Sequence, residues 1–126
     1  MCIRDRLWAK PYVVNADEEL VDRIAGDDMV RGNTISAVGF YGPQGRQVRL
    51  ELANPDLNRL IEQFEYRGRR ITNYEMESAP LAGMGRLMGH RCMTVCSIIA
   101  NRFNTEANPN YKSGIKDLIA TVLERI

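Results

Sequence analysis

Histidine occurs once in 126 residues, tryptophan once and cysteine three times. With His90 as the single imidazole, and with Cys2, Cys92 and Cys96 at spacings unlike those of metal ligands, no metal centre is expected. An odd number of cysteines also argues against a disulfide framework. On an extended segment Cys92 and Cys96 would stand about 13 Å apart at about 3.3 Å per residue, beyond the roughly 7 Å that a bridge tolerates between Cα atoms. They read instead as small core residues of a reduced, cytoplasmic protein. Charge of one sign is lacking too. Seventeen basic residues face sixteen acidic ones, a net of +1, which leaves no overall electrostatic footprint for nucleic acid. The Arg67, Arg69, Arg70 cluster reads as a solvated turn after a helix. No apolar run is long enough to cross a membrane, and Met1–Arg6 lacks a signal core. That hexapeptide has the look of a cloning or assembly scar, so residues 1–6 are set apart and residues 7–126 are treated as one domain. The apolar fraction, 44%, is ordinary for a globular chain able to form a core.

What is present alternates between helical and extended patterns. Asn15, with Glu18 three residues later, makes a capping box for a short helix through Leu20, Val21 and Ile24 that Gly26 stops. Residues 34–40 read as a buried strand ending at Gly42-Pro43. Asn54-Pro55 opens a second helix, with Pro55 at its first position, Leu57, Leu60, Ile61 and Phe64 on one face, and Gly68 as its end. A strand near 71–74 leads into a helix bearing Leu81, Met84, Leu87 and Met88, with Pro80 in its first turn, where a missing N–H costs little. Residues 93–100 form an apolar run suited to a parallel strand covered on both faces. Ser113 caps a last helix whose stripe is Ile115, Leu118, Ile119, Val122 and Leu123. Strands alternating with helices predict a parallel α/β sheet.

Asn73-Tyr74-Glu75-Met76-Glu77-Ser78 sets two acids around a methionine where a strand turns into a helix. Carboxylates are rarely buried without a partner, so a polar ligand that hydrogen-bonds them, such as a diol, fits. An ionised Glu77 is an acceptor only, with lone pairs enough for two hydroxyls. Solvated acids in the first turn of a helix, welcomed by its dipole, are the other reading. Two further segments stand out: Gln44-Gly45-Arg46, in a glycine- and proline-rich loop, and Ile98-Ile99-Ala100-Asn101-Arg102, closing an apolar run. Strand ends are where open α/β sheets gather ligand groups. His90, after the helix-ending Gly89, reads as a residue near helix-end carbonyls rather than a catalyst.

The three segments together resemble the uridine phosphorylase branch of the nucleoside phosphorylase family. That resemblance implies a three-layer α/β fold around a mostly parallel or mixed sheet, and an attack of phosphate on C1′ of a nucleoside that expels the base. It assigns Glu75, Met76 and Glu77 to the ribose, with Glu77 accepting from the 2′- and 3′-hydroxyls, Met76 packing on the sugar and Glu75 ordering the pocket. Gln44, Arg46, Asn101 and Arg102 fall at the base, with Phe40 and Tyr41 either flanking it or simply packing. Gln44 would read the uracil imide edge while Arg46 holds the remaining carbonyl oxygen, so Arg46 and Glu77 are the catalytic candidates. Purine-specific relatives carry an aspartate near Asn101; its absence here favours a pyrimidine, and a purine nucleoside phosphorylase or nucleosidase is the alternative. The resemblance covers the C-terminal half of the family's domain. The other half would supply the phosphate-binding loop, and no phosphate-cradling glycine pattern occurs here. The chain alone is therefore expected to be inactive, and an inactive nucleoside-binding remnant is a third reading. Phosphate is expected as co-substrate, with no metal or cofactor. The full-length protein is expected to be a homo-oligomer, dimer-based and up to a hexamer. Pro80 departs from the small or hydroxylated residue that usually follows the acidic motif.

Overall fold

The computed structural model describes residues 11–101 and 106–126. Along them run α1 (Glu18–Ile24), β1 (Asn33–Ser36), α2 (Leu57–Gln63), β2 (Glu65–Tyr66), β3 (Arg69–Glu75), α3 (Ser78–Leu87), β4 (Ala100–Asn101), β5 (Glu106–Ala107) and α4 (Tyr111–Arg125). The fold is mixed α/β, and β3 is its hub. On one side β3 pairs in parallel with β1, placing Ile35 beside Tyr74 and Ser36 beside Glu75. On the other it pairs antiparallel with β2, giving a small mixed sheet in the order β1-β3-β2. Arg67 and Gly68, with φ of 52° and 73°, form the tight turn between β2 and β3, because both central residues of such a turn need positive φ. The three arginines around it are exposed. Asn33 ties the start of β1 to this hairpin, donating to the carbonyls of Tyr66 (3.0 Å) and Arg69 (2.7 Å).

Several boundaries differ from those the sequence predicts, each for a local reason. Asp17, not Asn15, caps α1: its Oδ1 accepts from the Leu20 N–H at 3.0 Å, and an Arg91 Nη 2.9 Å away holds the same carboxylate in place. The first strand stops at Ser36 rather than reaching residue 40. Its partner β3 ends opposite at Glu75, so after the Ala37 N–H donates to the Glu75 carbonyl (2.8 Å) there is nothing left to pair with. Asn54 and Pro55 form a turn before α2 instead of its first turn, with Asn54 Oδ1 accepting from the Asp56 N–H at 3.0 Å. Pro80 does lie in the first turn of α3. Ser113 sits inside α4, not at its cap, and its hydroxyl donates back to the Asn110 carbonyl at 2.9 Å.

The largest departure concerns residues 93–100, expected as a parallel strand. Residues 93–99 form no helix, turn or strand, and only Ala100–Asn101 pair, antiparallel to β5. Polar groups along this stretch bond elsewhere. The Cys92 carbonyl accepts from the Asp17 N–H (2.8 Å) and the Ile99 carbonyl from Asn108 (2.8 Å), while the Cys96 thiol lies against the Asn73 side chain.

Packing is thin among the described residues. Ile24 and Ala37 are the buried apolar ones, and Gln44 and Ser78 the buried polar ones. The C-terminal ends of α1 and α4 are clamped by Arg125, which donates to the Ile24 carbonyl (2.9 Å) and forks onto Asp28 (3.1 Å to each oxygen). Gly85 lets α3 approach the 91–95 segment, since a Cβ there would collide with the Cys92 sulfur. An apolar cleft of about 570 Å³, lined by Leu20, Ile24, Leu81, Val95, Leu118 and Val122 among others, opens between these elements.

Candidate functional site

Because β1 and β3 are parallel, the chain leaves both at the same edge of the sheet. The segment leaving β1 carries the Gln44–Arg46 turn, and the segment leaving β3 carries Glu75-Met76-Glu77. This edge, outside the carboxyl ends of parallel strands, is where α/β sheets hold ligands.

The acidic motif divides its labour. Glu75 is fully engaged: the Ser36 hydroxyl donates to Oε1, and the N–H groups of Glu77 (2.6 Å) and Ser78 (2.5 Å) donate to Oε2. The Ser36 oxygen in turn accepts from the Ala79 N–H at 2.7 Å. Burial disfavours the charge on Glu75, but the hydrogen bonds from Ser36, Ser78 and Glu77 outweigh it and hold its carboxyl below the ordinary carboxylate range. Glu75 thus satisfies N–H groups at the start of α3 that have no partner within the helix, and it welds β1, β3 and α3 at one point. Glu77 stands at the N-cap position without capping α3. Its carboxylate is exposed and, among the described residues, takes a single donor, the Met76 N–H at 3.2 Å. An exposed acceptor set beside a fixed one suits a ligand that brings its own donors. Met76 is partly exposed next to it.

The second segment is a 3₁₀ turn, Gly42–Gln44, closed by Gly45 at φ 69°. The Tyr41 carbonyl accepts from both the Gln44 and Arg46 N–H groups at 3.0 Å. Gln44 is 3% exposed, an unusual position for an amide unless its polar groups are matched. The Arg46 guanidinium lies 3.7 Å from the centroid of the Phe40 ring, and Tyr41 meets that ring edge-on at 5.2 Å. Phe40 therefore has one partner over its face and another at its edge, while half of its surface remains open. The aromatic pair and the cation form one unit at this edge of the sheet.

Asn101 is exposed on the antiparallel β4–β5 ribbon rather than at the end of a parallel strand. Arg102 lies outside the described residues. His90 is exposed after the helix-ending Gly89, whose φ is 78°. Three residues to which sequence reasoning gave no role in the site hold it together. Ser36 bridges Glu75 and α3. Asn58 and Tyr74 link α2, β3 and the Gly45 turn, with Asn58 donating to the Gly45 carbonyl (3.1 Å) and accepting from the Tyr74 hydroxyl (3.4 Å). Ser36 and Tyr74 acquire meaning only from strand register. Asn58 carries a local signal, since asparagine is a weak helix former placed early in an otherwise leucine-patterned helix.

A family model described as the phosphorylase superfamily matches residues 7–125. A curated protein from Thermococcus kodakarensis named uridine phosphorylase is 33% identical over 101 residues, covering 75% of this chain and 32% of the relative. The chain thus spans about a third of that relative's length. No solved structure gives a significant match.

Proposed function

The chain belongs to the phosphorylase superfamily, and from that premise we propose that it carries the base- and ribose-binding part of an enzyme that converts uridine and phosphate to uracil and ribose 1-phosphate. The observation that carries this reading is the shared edge of the β1–β3 pair, with an exposed Glu77 beside a locked Glu75 on one strand's exit and a buried Gln44 with Arg46 on the other's. In the reaction a phosphate oxygen forms the bond to C1′ as the C1′–N1 bond breaks. The bonding pair passes to the uracil ring, and the proton lost by phosphate ends on the base. Positive character grows on the sugar and negative character on the uracil.

Each side chain has a task in that scheme. Glu77 accepts from the 2′- and 3′-hydroxyls, and its negative charge beneath the ring favours the oxocarbenium-like sugar. Gln44 offers one donor and one acceptor to the N3–H and adjacent carbonyl. Arg46 holds the remaining carbonyl oxygen, where charge collects as the base leaves. Met76 packs on the sugar, Phe40 on the base, and Asn101 and Arg102 complete the base end. We propose that the phosphate-binding groups belong to other parts of a larger three-layer, oligomeric, cytoplasmic enzyme of pyrimidine salvage, and that these 126 residues alone do not turn nucleoside over. Among the described residues no helix is long and apolar enough to cross a membrane.

The test is phosphorolysis of uridine and of inosine side by side by the native gene product, together with binding of both nucleosides to these 126 residues. Faster cleavage of inosine would overturn the base assignment. Release of uracil by the 126 residues alone, dependent on phosphate, would overturn the placing of the phosphate site elsewhere.

A further inference from the structure

We infer that Asn58 is a positioning residue that locks the Gln44–Arg46 turn onto β3, so that the base-recognising and sugar-recognising segments keep one fixed spacing. The inference rests on the reading of that turn as the base-binding element, and the structural part of its test does not. Three observations converge on Asn58. Its Nδ2 donates to the Gly45 carbonyl at 3.1 Å, the peptide joining Gly45 to Arg46. Its Oδ1 accepts from the Tyr74 hydroxyl at 3.4 Å, one residue before Glu75. A Cβ built on Gly45 would lie 2.5–2.7 Å from the Asn58 amide atoms, so this side chain occupies the space directly beside the turn.

The chemistry of the position agrees. Asparagine in a helix ordinarily competes for backbone groups or faces solvent. Asn58 is the second residue of α2, is half-buried and leaves the helix start uncapped, spending its amide on two other elements instead. A carboxamide holds a donor and an acceptor at fixed positions in one plane, so it can serve two groups at once. Gly45 must be glycine on two counts: its φ of 69° disfavours any other L residue, and Asn58 fills the space that a side chain would need. The turn's internal hydrogen bonds, from the Gln44, Gly45 and Arg46 N–H groups to carbonyls of Tyr41 and Gly42, give it a shape. Asn58 gives it an address.

The decisive measurement is amide hydrogen exchange of Gln44, Gly45 and Arg46 in the unliganded chain, with the α3 amides as internal reference. In Asn58→Ala the turn amides should exchange about tenfold faster while α3 is unchanged, the scale expected when one or two tertiary hydrogen bonds are lost. Asn58→Asp should match the alanine variant, because it keeps the acceptor for Tyr74 but places a carboxylate against the Gly45 carbonyl. Tyr74→Phe, which removes the longer of the two bonds to Asn58, should give a smaller acceleration of the same amides and serves if Asn58→Ala fails to fold. Unchanged turn amides in the folded variants would overturn the inference. The link to recognition is read separately from uridine titrations: the loss caused by Gln44→Leu should shrink in the Asn58→Ala background, since a mispositioned amide has less to lose. Additive losses would overturn that link. Failure of the unaltered protein to bind uridine would count against the proposed function and leave the exchange data to decide the positioning role.

Discussion

At the scale of single residues, the two acids of the motif differ in what holds them, and they should fail differently. Glu75 keeps its charge through hydrogen bonds made only in the folded state. Its folded pKa lies below the ordinary value, so its contribution to stability is complete above the ordinary carboxylate range and is lost as pH falls through the folded value. Glu75→Gln should therefore be less stable at neutral pH, by about 2 kcal/mol, the worth of hydrogen bonds to a charged group. It should also show a flatter fall in denaturation midpoint under acid than the unaltered protein, which a urea series at several pH values would show. On the proposed function, Glu77→Ala should leave the fold intact and cost the full-length enzyme about 2–4 kcal/mol of transition-state stabilisation on uridine, as expected for one preorganised electrostatic contact. Wild-type turnover in that variant would reduce Glu77 to a surface acid. Arg46→Lys keeps the charge yet should lower kcat/KM, because an ammonium reproduces neither the planar stacking on Phe40 nor a two-pronged contact. Residue types and company were enough to single these positions out in the sequence. That Glu75 would be the fixed acid and Glu77 the open one was not legible there, because the deciding donor, Ser36, lies 39 residues away along the chain.

At the scale of elements, the presence of the helices was legible while their starts were not, since the caps read at Asn15, Asn54 and Ser113 fall at Asp17, Asp56 and Asn110. The apolar stripes of α3 and α4, the proline in the first turn of α3 and the glycine that ends it depend on neighbours within a turn, and the structure keeps them. The length of β1 and the fate of residues 93–99 depend on what lies beside them in space. An apolar run fits an extended segment whether or not a partner strand accepts it, so sequence pattern could not tell a ladder from an unpaired stretch. Gly85 offers a test of the packing that this stretch does make. Gly85→Ala should destabilise the protein by about 1–3 kcal/mol, as overpacking does, since its new methyl meets the Cys92 sulfur. Cys92→Ala should restore most of that loss when combined with it. A double-mutant cycle in thermal or urea unfolding checks both, and simple additivity would mean that α3 does not lean on this segment.

At the scale of the whole molecule, much apolar surface faces outward. Leu81, Met84 and Leu87 of α3, Met88 just after it, and Ile119, Leu123 and Ile126 at the C-terminal end are all exposed. Apolar surface that joins into a patch marks association or aggregation. These 126 residues are expected to self-associate as concentration rises, and sedimentation velocity should show the effect reduced by Leu87→Glu, which lies outside the candidate site. The sheet also has a temporal side. The β2–β3 hairpin closes over two residues, and such turns form in about 1–10 microseconds, whereas pairing Ser36 with Glu75 must first bring together positions 39 residues apart. Contacts across long loops are the slow ones. The hairpin should form early and offer β3 as a template, and the parallel pair should register onto it late. Replacing Gly68, whose φ is positive, should then slow refolding, while Ser36→Ala should mainly speed unfolding. The edge where β1 and β3 end side by side would be the last part of the sheet to assemble and the first to come apart.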